Sequence, residues 1–201
     1  MKITHIKQQK DKNRVNIYLD GKFGFGIDLE NYVKLGLRVE QELTQEQIDE
    51  ITKKAEFQKT FEKILHFAMV RPRAEKEYRD WMKRKKVAEN LFEELLEKLK
   101  KFELLDDSKF ATWWVEQRNN FRPKPVRVLK LELRNKGLDK NIIDDVLENT
   151  EVDEAKIAKD LLQKNQYKWN KYDTQIAKRK RIEYLGRKGF SWDVIKKAIE
   201  N

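Results

Sequence analysis

Two stretches of this sequence correspond without a gap, 51 residues apart: RPRAEKEYRDWMKRKKVAENLFEELLE (residues 71–97) and RPKPVRVLKLELRNKGLDKNIIDDVLE (residues 122–148). Apolar residues fall on apolar residues throughout, as where Leu91-Phe92 meets Ile142-Ile143. A third stretch, YLGRKGFSWDVIKKAI (residues 184–199), joins the alignment at a further offset of 52. Chance can align one amphipathic helix with another, but it rarely aligns proline, turn and apolar doublet in one frame. The sequence therefore predicts three copies of one unit.

Each copy is predicted to form three short helices. In the second copy the first helix should run from about Ser108 to Asn120 behind an Asp107 cap. The second helix should start after Pro125 and end at Gly137, and the third should have an aspartate cap at position 139. A unit of about 50 residues is marginal alone, and stacking on its neighbours offsets this. We therefore expect three tandem three-helix repeats in an elongated, curved array.

The first thirty residues have a different pattern. Apolar and polar residues alternate on both sides of Asp20-Gly21, which indicates a β-hairpin. A two-residue turn would place Ile17 opposite Gly24, whereas a three-residue loop would place Ile17 opposite Phe25. A lone hairpin is marginal in water, so residues 2–7 are expected to add a third strand or the hairpin to pack on a helix.

These patterns predict a mainly α fold with an N-terminal β-hairpin or small antiparallel sheet. Thr44 and Gln47 form a capping-box signature, and the apolar period that follows predicts helix to about Val70. Only seven glycines and three prolines interrupt the chain, as expected for long helical segments. The expected domains are the hairpin extension (1–43), repeat 1 with a lead-in helix (44–106), repeat 2 (107–150) and repeat 3 (151–201).

The chemical inventory argues against an enzyme. The chain has no cysteine and only two histidines, His5 and His66, and it contains no nucleophile, zinc or nucleotide-loop motif. Paired acids such as Asp106-Asp107 and Asp144-Asp145 are better explained as helix caps and solvated charge. We expect no catalytic residue, no metal and no cofactor. The chain has neither an apolar run of about 18 to 20 residues nor an apolar core after its first charges, so a cytoplasmic protein without membrane contact is expected.

The chain carries an excess of positive charge. Lysine and arginine number 45 against 35 acids, a net charge of +10. Arg127, Lys130 and Arg134 lie three and four apart on one stripe of the second helix in repeat 2, and the same helix is basic in the other copies. Such a stripe suits an extended polyanion or an acidic protein surface. The candidate partner- or DNA-binding residues are Arg71, Arg73, Lys76, Arg79, Lys83, Arg122, Lys124, Arg127, Lys130, Arg134, Lys178, Arg179 and Arg181.

Four segments together resemble one known family, the RecX regulatory proteins. In order, these segments are RPRAEKEY (71–78), LLDDSKFA (104–111), RPKPVRVLKLELRNKGL (122–138) and YLGRKGFSWDVI (184–195). The resemblance covers roughly residues 57–200. The N-terminal hairpin looks like the β-extension of longer members. Two departures are visible: Lys85-Lys86 stands where a Lys-Gly turn is common, so a less tight turn is expected, and Ala74 replaces a small polar cap, which should weaken the helix start.

The resemblance implies a non-enzymatic modulator of the RecA recombinase. Family members are described as three tandem three-helix repeats that lie in the groove of the RecA filament on DNA, where they obstruct ATP hydrolysis, strand exchange and LexA co-cleavage. The implied partner is that filament, with direct contact to single- or double-stranded DNA a further option, and a monomer is expected. The alternative is an independent DNA-binding protein that presents the helix of Ile142 to a groove, like a helix-turn-helix. Asp144 and Asp145 on that helix count against the alternative.

Overall fold

The structure, a computed structural model, describes residues 1–200. Within these residues the chain forms three strands, ten α-helices and two short 3-10 helices, at Glu89–Leu91 and Gln166–Lys168. The elements are β1 (Ile3–Gln8), β2 (Arg14–Leu19), β3 (Lys22–Asp28), α1 (Leu29–Lys34), α2 (Gln45–Met69), α3 (Glu75–Arg84), α4 (Phe92–Lys101), α5 (Asp107–Phe121), α6 (Val126–Asn135), α7 (Lys140–Glu148), α8 (Glu154–Lys164), α9 (Thr174–Lys188) and α10 (Trp192–Ile199). The predicted mainly α fold with a small antiparallel sheet is confirmed.

The chain divides into two compact units. The first comprises Met1–Arg71 and Lys86–Lys98, and the second comprises Pro72–Lys85 and the chain from Leu99 onwards. The N-terminal sheet therefore belongs to the first unit. The second and third predicted repeats lie in the second unit, together with α3.

The sheet of the first unit has the order β1-β2-β3, with both pairs antiparallel. Its hairpin turn has two residues, Asp20 and Gly21, because Leu19 pairs with Lys22. Both turn residues have positive φ, at 47° and 81°. A bulge then shifts the register, so that Ile17 still faces Phe25. Each predicted register was thus half right: the turn is the short one, and the Ile17 pairing is that of the longer loop.

The third strand and the helix contact, which the sequence left as alternatives, both occur. β1 pairs with β2, and the buried face of the sheet packs against α2 through residues that include Ile17 and Ile51. The predicted capping box at the start of α2 is confirmed: the Gln47 amide donates to the Thr44 hydroxyl (3.2 Å), and the Thr44 amide donates to the Gln47 side chain (2.9 Å). This helix ends at Met69, close to the predicted Val70.

The helices of the second unit bury the residues that the 52-residue offset had aligned. Leu133 and Leu185 are both fully buried, and Ile143 and Ile195 are buried to nearly the same extent. Leu133 and Ile143 lie in the core of one three-helix group, and Leu185 and Ile195 lie in the core of the next. The periodicity of the sequence therefore corresponds to equivalent core positions.

One predicted helix cap was wrong by a residue. The N-cap of α5 is Asp106, whose carboxylate accepts from the Lys109 amide (2.9 Å). Asp107 instead accepts from the amide of Glu75 at the start of α3, also at 2.9 Å. Because Ala74 forms no side-chain cap, as the sequence indicated, α5 supplies the cap that α3 lacks.

The same device recurs one repeat later. Pro125 offers α6 no side-chain cap, and the first residue of α8, Glu154, accepts from the Val126 amide at 2.6 Å. The predicted cap of α7 by Asp139 is confirmed, since its carboxylate accepts from the Asn141 amide (2.8 Å). The second helix in each of these two repeats is therefore capped by the helix that begins the next repeat.

Left-handed residues end the second helices at equivalent positions. Gly137 has φ of 87° and Gly189 has φ of 92°. A Cβ on Gly137 would lie 2.9 Å from the side chain of Lys76, and one on Gly189 would lie 2.6 Å from Val128. Lys86 occupies the equivalent position in the first copy and also has positive φ (54°), so a lysine takes the conformation that favours glycine.

Candidate partner-binding surface

The basic stripe predicted on the second helix of repeat 2 borders a groove. Leu129 and Leu133 turn to the core, which leaves Arg127, Leu131 and Arg134 exposed on the other side of α6. Leu131 is 58% exposed although it is a large apolar residue. The groove has a volume of about 480 Å³. We call it the α6 groove, and it is lined by Val126, Arg127, Val128, Lys130, Leu131, Arg134 and Gly189.

The three cations of this stripe are not equivalent. The Lys130 ammonium lies 2.7 Å from the Asp144 carboxylate on α7. The hydrogen bond from Lys130 is the main cause that lowers the pKa of Asp144, and the nearby charges of Lys140 and Arg134 act in the same direction. Lys130 is therefore partly neutralised within the fold, whereas the exposed guanidinium groups of Arg127 and Arg134 can form paired hydrogen bonds to carboxylate or phosphate.

The candidates on α3 are held largely by local partners. Arg79 pairs with Glu75 at 2.7 Å. Lys76 donates to the carbonyl oxygen of Asn135 (3.1 Å) and packs over Gly137, so it joins the first repeat to the end of α6. Lys83 is exposed near the end of α3. The remaining first-repeat candidates precede α3: Arg71 ends one stretch of the first compact unit, and Arg73 lies in the second.

The other candidates are scattered rather than continuous. Arg122 is exposed and Lys124 is half-buried in the segment between α5 and α6. On α9, Lys178 is exposed and Arg179 pairs with Glu183 at 3.0 Å. Arg181 lies over the ring of Trp169, 5.9 Å from its centroid. The structure therefore brings Arg127, Lys130 and Arg134 together at one groove and places the third-repeat cations elsewhere.

The sequence did not predict a network of hydrogen bonds and ion pairs on another side of α6. The Trp114 indole N–H and the Arg118 guanidinium both donate to the Glu132 carboxylate, at 2.9 and 2.7 Å. Lys136 lies 4.8 Å above the Trp114 ring and pairs with Glu77 at 2.9 Å. The adjacent tryptophans at 113 and 114 were the available signal, and both are half-buried against the same core, next to Phe110.

No cluster of metal ligands and no membrane-spanning helix appears in the part of the chain that the structure describes. Within residues 1–200, no three histidine, aspartate or glutamate side chains are grouped closely enough to hold a metal ion. No described helix is both long and apolar enough to span a bilayer.

Comparison with known proteins connects this architecture to one family. Family models match in three places: the regulatory protein RecX N-terminal domain at residues 1–44, the RecX second three-helix domain at 106–147 and the RecX third three-helix domain at 151–199. Regulatory protein RecX of Bacillus licheniformis is 36% identical over 200 residues, spanning 98% of this chain and 76% of that protein. Regulatory protein RecX of Bacillus subtilis is 34% identical with the same coverage.

Solved structures agree with the sequence comparisons. A crystal structure of regulatory protein RecX superposes with a TM-score of 0.78 at 29% identity, covering 100% of this chain and 99% of that one. The crystal structure of RecX from Lactobacillus salivarius gives a TM-score of 0.64 at 26% identity, covering 72% of this chain and 95% of that one. The resemblance seen in the sequence is therefore confirmed, and this chain belongs to the family of RecX regulatory proteins.

Proposed function

We propose that this chain binds the RecA filament on DNA and inhibits its ATP hydrolysis, strand exchange and co-protease activity. It does so by binding, as a cytoplasmic monomer, and not by catalysis. One observation carries the proposal: on α6 of a RecX-family chain, two exposed arginines flank an exposed leucine beside an apolar groove. A surface that combines guanidinium groups with an apolar anchor suits a protein partner that also carries polyanionic DNA.

The proposed contact surface is centred on repeat 2. Arg127 and Arg134 are its main cations, with Leu131 as the apolar anchor. Lys76, Arg79, Lys130 and Arg179 have partners within the fold, so they should contribute less. The remaining candidates would extend the contact along the chain: Arg71, Arg73, Lys83, Arg122, Lys124, Lys178 and Arg181. The proposed domains remain the extension (1–43) and three repeats (44–106, 107–150 and 151–201).

The proposal is tested with RecA filaments formed in advance on single-stranded DNA. Adding the chain should slow ATP hydrolysis at up to stoichiometric amounts, and the double charge reversal Arg127→Glu/Arg134→Glu should weaken that inhibition about tenfold or more. The matched control is Lys59→Glu/Lys63→Glu, which changes net charge equally on the exposed side of α2. Unchanged hydrolysis with the wild-type chain would refute the proposal, and equal loss in both variants would refute the assignment to α6.

The same preparation separates inhibition from the alternative of independent DNA binding. That alternative expects tight, steeply salt-dependent binding to duplex DNA without RecA, and no effect on ATP hydrolysis. The acids of α7 do not favour it, because Asp144 and Asp145 would face the phosphates of any groove that this helix entered.

A further inference from the structure

The third repeat contains a second cavity, distinct from the α6 groove. It has a volume of about 520 Å³, within the range of small-molecule sites. Its walls are α9 and the segment that joins α8 to α9. We call it the α9 pocket, and it is lined by Lys168, Trp169, Tyr172, Lys180, Glu183, Tyr184, Arg187 and Lys188.

The α9 pocket is strongly positive. Four of its eight lining residues are cations and only one is an acid. That acid, Glu183, is already paired with Arg179, which does not line the pocket. Arg187 and Lys188 follow Lys180 by seven and eight residues, which is about two helical turns, so all three lie on one side of α9. An anion entering this pocket would therefore meet several cations and one carboxylate that is already neutralised.

Aromatic rings form the rest of the wall. Trp169 is buried and meets Tyr184 edge-on, with 5.4 Å between the ring centroids. The Asn165 side chain lies 3.2 Å from the Tyr184 hydroxyl and helps to fix that ring. Tyr172 is half-buried, and the Lys180 ammonium lies 4.6 Å from its ring centroid. A cation over a ring keeps its charge, so it remains available to an anion.

We infer that the α9 pocket binds a nucleotide, with its phosphates on Lys180, Arg187 and Lys188 and its base against Tyr172 and Tyr184, the two half-buried rings of the wall. Anion binding alone would need only the lysines and arginine, as for an acidic peptide. The aromatic rings in the same cavity favour a ligand that joins a flat base to a phosphate. Bases of a duplex are stacked and cannot reach such a wall, so the nucleotide is either free or part of a single strand.

This site goes beyond the proposed function, because it uses none of the α6 face and needs no RecA. The test is a binding titration of the full chain, without RecA, against four probes. They are ATP, a short fluorescein-labelled oligothymidylate, the duplex of the same length, and deca-glutamate as an anion without bases. We expect ATP or the single strand to bind at least about tenfold more tightly than deca-glutamate or the duplex.

Variants locate the binding. Lys180→Gln/Lys188→Gln should weaken it about tenfold or more, whereas Lys156→Gln/Lys164→Gln, on the exposed side of α8, removes the same charge and should change it less than about twofold. Tyr172→Leu should weaken it roughly fivefold or more, because it removes the ring and keeps an apolar wall. Thermal melting checks that each variant is folded. If Tyr172→Leu melts early, the lysine pair decides the question, since neither lysine is buried.

Each outcome has a meaning. Binding of ATP alone identifies a free nucleotide as the source, and binding of the strand alone identifies single-stranded nucleic acid; either supports the inference. Absence of binding to both overturns it. Equal binding of deca-glutamate, or equal losses in the two lysine variants, also overturns it, because the pocket would then be only part of a diffuse positive surface. None of these results depends on inhibition of RecA.

Discussion

The glycine that ends α9 should be more sensitive to substitution by alanine than two other left-handed glycines, Gly36 and Gly137. Gly36, Gly137 and Gly189 all have positive φ, at 60°, 87° and 92°. Alanine in this conformation costs about 1 to 2 kcal/mol at any of them. A Cβ on Gly36 would meet no heavy atom within 4 Å, so Gly36→Ala should cost only that amount.

The two repeat glycines differ in what their Cβ would meet. At Gly137 the obstacle is Lys76, whose Cδ atom can turn aside but whose Cβ atom, also 2.9 Å away, moves only with the backbone of α3. At Gly189 the obstacle is the Cγ2 atom of Val128, at 2.6 Å, and a β-branched side chain has few other rotamers. Overpacking of this kind adds about 1 to 3 kcal/mol. We therefore expect Gly189→Ala to lower the free energy of unfolding by about 2 to 5 kcal/mol, and Gly137→Ala by an amount between those of the other two.

Urea denaturation followed by circular dichroism measures these differences, and a double-mutant cycle isolates the contact. In a Val128→Ala background the Cγ2 atom is gone, so Gly189→Ala should cost only the backbone amount, about 1 to 2 kcal/mol. The cycle should then give a coupling of about 1 to 3 kcal/mol between the two positions. Equal costs for Gly36→Ala and Gly189→Ala, or a coupling of zero, would refute the reasoning.

Substitutions at three further positions test single features of the fold. Lys86→Gly should raise the free energy of unfolding by about 1 kcal/mol in urea denaturation, because glycine relieves the positive φ, and a decrease would contradict this. Asp107→Ala should lower it by about 1 kcal/mol through loss of the cap on α3, whereas Asp107→Asn keeps an acceptor and should cost less. Burial is the main cause that raises the pKa of Asp107 above its ordinary value of 3.8. The free energy of unfolding should therefore fall as pH rises from 3.8 through the folded pKa, because ionisation of the buried carboxyl opposes folding. Asp107→Asn should reduce this fall, and an unchanged dependence of the free energy of unfolding on pH would contradict the assignment. Lys130→Met should return the pKa of Asp144 upward toward its ordinary value in a carboxyl NMR titration, and an unmoved pKa would show that Lys130 is not its cause.

The repeat could be predicted because its signals are local. Gly137 and Gly189 mark the ends of two equivalent helices, and the apolar positions aligned by the same offset are buried in both copies. The Asp20-Gly21 turn is likewise determined by two adjacent residues. Sequence periodicity and turn chemistry carry such features, since each depends on residues within a few positions of one another.

The errors and omissions concern contacts between distant residues. Whether Asp106 or Asp107 caps α5 depends on the Glu75 amide, to which Asp107 is bound and which no local pattern reveals. The α9 pocket is a further example: Trp169 and Tyr184 belong to different segments, and only the fold brings their ring centroids to 5.4 Å. The difference between Lys130 and the two arginines of the α6 stripe also comes from such a contact, because Lys130 pairs with Asp144 from α7.

These distant contacts also connect the third repeat to the proposed binding surface of the second. Glu154 caps the first amide of α6, and Gly189 admits Val128 of α6 to close packing. Both contacts fall on the first turn of the helix, next to Arg127, and Gly189 itself lines the α6 groove. The position of the turn that carries Arg127 is therefore set partly by residues of the following repeat. A substitution at Glu154 or Gly189 changes none of the candidate cations. It should still alter binding at α6, because it moves the turn that carries Arg127.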